Sequence, residues 1–417
     1  MTSGRTRRIG KGILDTETGG WHVTQDLIIN LVATGLAFSL GMSVRSARQR
    51  ITNAKEAAGS RRIKEQRHPR FTHGWLLEYY LHRDRLDDLY LLVDGNRRRI
   101  VPFLTKPSWT DHDFDESALI EQDSPHRRSD TDVDEEILRR RRAYLAVDDE
   151  DGEPWNDLLA VVSEVRETDD GPRIKLAMAE YFQFLTACGA LEDETYAAVC
   201  DPRAATPIRD AVLASVDDAA EARRGAHGFG MQCAFVFREE GQLRVLIQRR
   251  SHSVSIYGGA LAVVPVFGCQ SMDLSDRTPV SVFHNFLREV YEELYGGEEV
   301  EKRGSRVDAT WFYQEPSIAR LIAAHDGGEL DFRILGFGFD ALNGEVDICG
   351  LAYIEDPEFM RRELPSLKAN WEIQDISTWD LFGTDLTEAL FAGEFSPGSV
   401  YTLGEARRYL ARSEHED

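Results

Sequence analysis

The chain has 417 residues, of which 42% are apolar and 29% are charged, and its formal net charge is −23 at pH 7. This composition is rich enough in apolar residues for a folded core, which excludes a wholly disordered protein. The five cysteines are far apart and form no CxxC pair, which excludes a disulfide scaffold or a zinc ribbon and suits a reducing cytosol. Residues 1–100 contain 18 Lys/Arg and 10 Asp/Glu, whereas the remaining 317 contain 31 and 62. The basic N-terminal part and the acidic body therefore need separate explanations.

An uncharged segment follows the N-terminal tail, residues 1–26, which carries no secretory signal. Leu27–Val44 has eighteen residues without a formal charge. As a helix it would span about 27 Å, close to the ~30 Å hydrocarbon core of a bilayer. Basic residues follow from Arg45 onward, and the positive-inside rule keeps such a segment in the cytoplasm. We therefore predict a single-pass protein of the cell inner membrane, whose small and polar helix residues favour self-association.

A helix-turn-helix is the competing prediction for the same region. Leu40-Gly41-Met42-Ser43, followed by Ala47 and Ile51, fits the pattern L-G-x-S-x-x-x-A-x-x-x-I. The neighbouring arginines would then face DNA. The preceding residues 27–39 offer no charged residue for a solvent-facing side, which favours the membrane. A buried or interface helix is the third alternative, and all three remain open at this stage.

The basic segment, residues 45–108, ends in a hairpin region. The pattern predicts a short helix at 75–83 and then two strands, at 89–93 and 98–105. The strands are joined at Asp94-Gly95-Asn96, and Asp-Gly between alternating apolar residues is typical of a hairpin turn. No residue in this part of the chain has a motif that indicates a chemistry.

Two further regions separate the hairpin from the C-terminal domain. Residues 109–153 are dominated by Asp, Glu, Ser and Arg, a composition that predicts a solvated acidic linker. Residues 154–226 are predicted to be a helical region with three apolar segments, at 156–165, 174–191 and 207–224.

Residues 227–417 form the clearest domain. Strands at 231–239 and 242–250 meet at Glu240-Gly241, and two more in 332–355 surround an Asn343-Gly344 turn. The other predicted elements are a buried strand at 260–268, a helix at 280–296, helical segments at 356–363 and 403–412, and a strand near 371–379. Strands and helices that alternate around one amphipathic helix predict an α/β fold, an α/β/α sandwich.

The helix at 280–296 carries the candidate chemistry. Its apolar stripe consists of Phe283, Phe286, Leu287, Val290 and Leu294. Glu289, Glu292 and Glu293 are spaced i, i+3 and i+4, so their carboxylates cluster on one side. A hard divalent ion, Mg²⁺ or Mn²⁺, is the natural counter-charge and can bridge a diphosphate. Arg288 is predicted to pair with Glu292.

Residues 288–296, REVYEELYG, resemble the second half of the Nudix box, R-E-apolar-x-E-E-x-G. The resemblance extends over roughly residues 227–417 and implies a Nudix-like fold. It implies that Glu292 and Glu293 bind divalent metal, that Glu289 is a ligand or the base, and that the substrate is a nucleoside diphosphate derivative. Gly258 and Gly259 stand where the family often has Pro-Gly-Gly, and Arg249 ends a strand beside the site, so these three are candidate ligand-binding residues.

The first half of the box is missing. Its glutamate and glycine positions are Val280 and Leu274 here, and no glutamate lies between Gly268 and Arg288, so the arginine lacks its usual anchor. The more distant metal ligand would be Glu345 or Asp340. A degenerate Nudix fold that only binds and an active Nudix hydrolase therefore both remain open.

The whole arrangement resembles the membrane-anchored SMODS-associated Nudix-like effectors of cyclic-oligonucleotide antiphage defence. That resemblance implies that the Nudix-like domain senses a nucleotide signal and that the membrane helices then associate. The alternatives are a helix-turn-helix transcription regulator with a Nudix-like sensor, and an active hydrolase whose N-terminal segment only locates it.

Overall fold

The computed structural model describes residues 69–110, 114–121, 158–221, 227–272 apart from 253 and 255, 279–297 and 310–416. The chain divides into two units, Met1–Gln66 and Arg67–Asp417, and all the described residues belong to the second. The tail, the segment Leu27–Val44, the helix-turn-helix pattern and the basic run that follows it lie outside the described residues, as do residues 122–153 of the predicted linker. Within the described part, no helix is both long and apolar enough to cross a membrane.

A single sheet of twelve strands organises the part of the chain that the structure describes. The strands are β1 Leu89–Asp94, β2 Arg97–Leu104, β3 Ile120–Glu121, β4 Leu158–Thr168, β5 Gly171–Glu180, β6 His227–Glu239, β7 Gln242–Arg250, β8 Leu261–Val263, β9 Val266–Gly268, β10 Leu330–Asp340, β11 Val346–Ile354 and β12 Ile373–Asp380. The main order is β1-β2-β10-β11-β6-β4-β5-β3, while β7 also pairs with β6, β8 and β12, and β9 pairs with β6. At the centre, β6 and β11 run parallel, in register from Phe229–Val346 to Phe237–Ile354.

Helices cover both faces of this sheet. The α-helices are α1 Pro69–Leu81, α2 Glu116–Leu119, α3 Tyr181–Cys200, α4 Pro207–Val212, α5 Val216–Ala220, α6 Val282–Glu289, α7 Pro316–Asp326, α8 Pro357–Glu363, α9 Thr384–Ala392 and α10 Pro397–Glu416. Successive β6 side chains point to opposite faces. Cys233 and Phe235 belong to the same core as α6 and α7, whereas Ala234 and Val236 pack with α9 and α10. The protein is therefore a mixed α/β fold with helical layers on both sides of the sheet, as predicted.

The predicted hairpins are confirmed at their turns. β1 and β2 meet at Gly95, and β10 and β11 meet at Gly344, where φ is +56° and +76° respectively. A side chain is strained in this left-handed region of the backbone, which is why glycine marks both turns. The apolar run at 260–268 forms two short strands, because Pro265 cannot donate a ladder hydrogen bond.

The prediction that residues 154–226 are helical is wrong for residues 158–180. These residues form the antiparallel hairpin of β4 and β5, and α3 begins only at Tyr181. Val161, Val162 and Val165 are β-branched, and a short apolar run cannot be assigned to a helix or a strand by periodicity alone. Since β4 also pairs with β6, the sheet continues across the predicted domain boundary at residue 227.

The prediction of a solvated linker at residues 109–153 is also wrong for those of its residues that the structure describes. Trp109 is fully buried, stacks on Phe337 with 4.8 Å between ring centroids, and donates from Nε1 to Glu167 over 2.7 Å. Residues 114–121 contain α2 and β3, and Leu119 and Ile120 are buried. These apolar residues are scattered among acidic ones, so the composition of the whole segment concealed them.

Candidate functional site

The helix predicted at 280–296 is formed, but it changes from an α-helix to a π-helix part-way along. Helix α6 begins after Ser281, whose Oγ accepts from the His284 backbone N–H over 3.2 Å. The chain then continues through Val290–Leu294 as one wider π-helical turn. The apolar stripe packs into the core as expected. The acidic side is buried as well, because Glu292 is only 8% exposed and Glu293 only 1%.

Arg288 is held by groups that replace the missing box glutamate. Its guanidinium donates to the Gln270 side-chain oxygen, to the Gly268 carbonyl over 3.2 Å, and to Glu289 Oε1 over 2.6 Å. Gln270 is itself fixed by two backbone hydrogen bonds with the Asn285 side chain, of 3.0 and 2.8 Å. The predicted partner of Arg288 was Glu292, whereas the ion pair in the structure joins it to the adjacent Glu289.

Burial dominates the electrostatics of Glu289 and Glu293. It raises the pKa of both carboxyls well above the ordinary value, and the charges of Glu292 and Glu372 raise both further. Arg288 opposes the pKa shift of Glu289, and Arg250 opposes that of Glu293. The Val266 backbone N–H also favours ionised Glu293, yet neither carboxylate oxygen of Glu293 makes a hydrogen bond of normal geometry with a described residue. Glu293 is therefore a buried acid that the described protein groups do not satisfy.

Of the two arginines that end β7, it is Arg250 that faces these carboxylates. Leu246 belongs to the core on the α6 side, whereas Ile247 belongs to the opposite core. The alternation of strand side chains puts Arg250 on the face of Leu246 and Arg249 on the other. The charge of Arg250 accordingly lowers the pKa of Glu293 and of Glu345. Arg249 donates to the Gly259 carbonyl over 3.0 Å.

The loop after β7 is shaped by its glycines and tied to Asp340. Gly259 has a φ of +84°, and a Cβ there would meet the His252 ring. Its N–H donates to the Arg250 carbonyl over 3.0 Å. The Tyr257 hydroxyl lies 2.8 Å from both carboxylate oxygens of Asp340. Burial raises the pKa of Asp340 to about 6, although the hydrogen bond from Tyr257 acts to lower it. Asp340 is therefore already engaged by Tyr257.

Glu345 follows the Asn343-Gly344 turn and lies near Gly230, where an added Cβ would come within 3.3 Å of its Oε1. Burial and the charge of Asp340 raise the pKa of Glu345 to about 7. The candidate metal ligand Glu345 therefore belongs to a second acidic group around the start of β11, which shares Arg250 with the carboxylates of α6.

The sequence did not single out four carboxylates that the structure places around these groups. Asp347 accepts from Gln232 Nε2 over 2.7 Å, and Glu116 accepts from the Val282 backbone N–H over 2.8 Å at the start of α6. Glu372 and Glu192 act through their charges, on Glu293 and on Glu345 respectively. Only Asp347 had a visible signal, as a lone acid inside an apolar strand.

Two further side chains near α6, His284 and Cys269, have environments that suit a structural role. His284 Nδ1 lies 2.8 Å from the Tyr313 hydroxyl, and burial lowers its pKa to about 4, so it is neutral at pH 7. Cys269 is buried, and burial raises its pKa well above the ordinary value, which gives no support to a nucleophilic role.

A divalent ion fits this site only in company with a ligand. Among the described His, Cys, Asp and Glu side chains, no three are arranged to hold a metal ion by themselves. The donor type nevertheless suits Mg²⁺ or Mn²⁺, and Mg²⁺ is commonly held by one or two carboxylates together with phosphate oxygens and waters. The unsatisfied oxygens of Glu293 meet that need. The residues therefore fit a cation that arrives with a phosphate-bearing ligand.

Comparison with known proteins finds similarity among solved structures. No family model matches this chain, and no curated protein matches it. Among solved structures, the NUDIX domain of Shewanella oneidensis NrtR, complexed with ADP ribose, is similar over 44% of this chain and 89% of that chain, at 15% identity and a TM-score of 0.28. Similarity at this level carries no ligand over to this chain.

Proposed function

We propose that this protein binds a nucleotide-derived ligand through its diphosphate, together with a divalent cation, at the carboxylates of α6. The observation that carries the proposal is Glu293, a fully buried carboxyl with two oxygens that no described group satisfies. Native proteins rarely leave such groups unpaired, and a functional role is a common reason when they do. The likeness of residues 288–296 to the Nudix box supports a nucleoside diphosphate derivative as the ligand.

The charges around Glu293 explain why a cation and an anion would bind together. Arg288 is occupied by Glu289, so its charge is already compensated. Without a cation, burial favours the protonated form of Glu293. A divalent ion would displace this proton and neutralise the diphosphate. Arg250 lies on the same face and has the charge to contact a phosphate.

Isothermal titration calorimetry with ADP-ribose tests this proposal. We expect the unaltered protein to bind ADP-ribose with Mn²⁺ or Mg²⁺ and to lose at least tenfold in affinity when EDTA replaces the metal. Glu293→Gln keeps the shape of the side chain but not its charge. We expect this variant to lose the metal-dependent part of the affinity for ADP-ribose. Glu358→Gln, an exposed change on α8, is the matched control and should bind like the unaltered protein. Binding that is indifferent both to EDTA and to Glu293→Gln would contradict the proposal.

We also propose that Leu27–Val44 anchors the chain in the cell inner membrane, with residues 67–417 in the cytoplasm. The uncharged segment and the basic residues after it support this arrangement. Ligand binding would then favour association of the membrane helices, as the likeness to the SMODS-associated effectors implies, and would give the protein a role in antiphage defence.

Fractionation of cells with an alkaline carbonate wash tests the anchor. We expect the full chain to remain in the washed membranes and the double variant Leu31→Arg/Leu36→Arg to be released, because charged residues at the centre of a membrane helix cost several kcal/mol. Ile13→Arg in the N-terminal tail is the control and should stay with the membranes. Release of the unaltered protein would refute the anchor, and salt-dependent binding of duplex DNA would then support the regulator.

A further inference from the structure

Trp371 stands at the tip of a well-held turn before β12. The Asn370 carbonyl accepts from the Ile373 N–H over 3.3 Å, and the Asn370 side chain accepts from the Glu372 N–H over 2.9 Å. The Glu372 carbonyl in turn accepts from the Ser251 N–H over 2.7 Å, which joins the turn to the end of β7. The backbone on both sides of Trp371 is therefore fixed.

The side chain of Trp371 is nevertheless open to solvent. It is 59% exposed, the highest exposure of any large apolar side chain in the described residues. An indole in water forgoes the stabilisation that its burial in a core would bring. A fixed backbone that presents an open aromatic ring suits the stacking of a planar ligand, because a tryptophan side chain has only two torsion angles to order.

The turn that carries Trp371 adjoins the carboxylate group of α6 through its next two residues. Its neighbour Glu372 is close enough for its charge to raise the pKa of both Glu289 and Glu293. Ile373, the next residue, pairs with Arg250, the arginine on the same face as these carboxylates. The turn that carries the exposed indole is thus joined to the strand end that carries Arg250.

We propose that Trp371 stacks on the base of the ligand. The ligand class is then a nucleoside diphosphate with an aromatic base, as distinct from a sugar diphosphate or an inorganic polyphosphate. This inference rests on the proposed function, because the α6 carboxylates and the cation hold the diphosphate while the indole holds the base. Stacking alone accepts every base, so discrimination between bases lies elsewhere in the site.

Titration of two probes, ADP and inorganic pyrophosphate, each with Mn²⁺, separates the two parts of the site. We expect Trp371→Ala to weaken ADP binding by about tenfold to a hundredfold, the range for loss of one stacked base. Pyrophosphate binding should not change, and Trp371→Phe should retain most of the affinity for ADP. Phe382→Ala is the matched control, since Phe382 is an exposed aromatic residue just beyond the other end of β12.

Each outcome decides between the possibilities. Unchanged ADP binding by Trp371→Ala, or equal weakening of ADP and pyrophosphate, overturns the stacking role and leaves the diphosphate site in place. Absence of metal-dependent binding of both probes to the unaltered protein overturns the proposed function, and the inference falls with it. Because Trp371 is exposed, its variants are expected to unfold at the same temperature as the unaltered protein, which a thermal scan checks.

Discussion

Glu293→Gln is expected to become increasingly more stable than the unaltered protein as the pH rises, even though it loses the ligand. Burial raises the pKa of Glu293 well above its ordinary value of 4.5, so the folded chain keeps a proton that the unfolded chain releases. The stability that this proton contributes is complete below pH 4.5 and is lost as the pH rises through the folded pKa. Glutamine does not titrate, so the Glu293→Gln variant does not lose stability in this way. The difference in the free energy of unfolding should grow by about 1.4 kcal/mol per pH unit across that window.

Urea unfolding between pH 5 and pH 9, without divalent ions, measures this difference. Glu358→Gln, an exposed change, is the control and should unfold like the unaltered protein. Addition of Mn²⁺ with ADP should stabilise the unaltered protein more than Glu293→Gln, since a ligand stabilises most the form that binds it most tightly. A difference between Glu293→Gln and the unaltered protein that does not depend on pH would show that Glu293 is not a strained buried acid.

Arg209→Met is expected to cost about 3–5 kcal/mol in the free energy of unfolding, because each buried acceptor left without a donor costs roughly 1–3 kcal/mol. Arg209 is completely buried. Its guanidinium donates to the carbonyls of Ala341, Leu342 and Leu191 and to the Thr195 hydroxyl, the Leu342 and Thr195 bonds each being 2.7 Å. Methionine fills a similar volume but cannot donate to the Ala341 and Leu342 carbonyls or to the Thr195 hydroxyl, whereas the Leu191 carbonyl still accepts from the Thr195 hydroxyl.

Urea unfolding of Arg209→Met, Arg209→Lys and the exposed control Arg362→Met measures the cost. Lysine keeps the charge but cannot reach acceptors on two sides, so it should recover only part of the loss. Arg362→Met should lie within about 0.5 kcal/mol of the unaltered protein. A cost for Arg209→Met below 1 kcal/mol would mean that water replaces the guanidinium and that the cluster contributes little to stability.

The position of Arg209 links this stability to the site. Ala341 and Leu342 connect Asp340 to the turn that precedes Glu345, so the guanidinium fixes the loop that places both carboxyls. The same loop is held from the other side by Tyr257, through Asp340. The second acidic group is therefore positioned by α4 and by the loop after β7, two elements far apart in the sequence.

The sequence predicted the elements whose signals are local. The apolar stripe and the three glutamates specified α6, and the Gly95 and Gly344 turns specified two hairpins. It did not predict that the glutamates are buried, because burial depends on what packs against the helix. The segment before β12 packs against this helix, and its Lys368 N–H donates to the Leu294 carbonyl over 2.7 Å.

The features that escaped prediction depend on long-range contacts. Glu116 accepts from the N-terminus of α6 across 166 residues, and no periodicity relates the two segments. Gln270 supplies Arg288 with an acceptor that the box pattern places on a glutamate. The hairpin of β4 and β5 was missed because its apolar runs suit either secondary structure until the neighbouring strand β6 is known.

Anomalous diffraction at the manganese edge, from crystals grown with Mn²⁺ and ADP, tests the central claim most directly. We expect a manganese peak about 2 Å from a Glu293 carboxylate oxygen and from the diphosphate, the usual distance for a small hard divalent ion. The adenine should stack on Trp371. A manganese ion and ADP bound away from α6, with Glu293 still buried and without a ligand, would contradict the account.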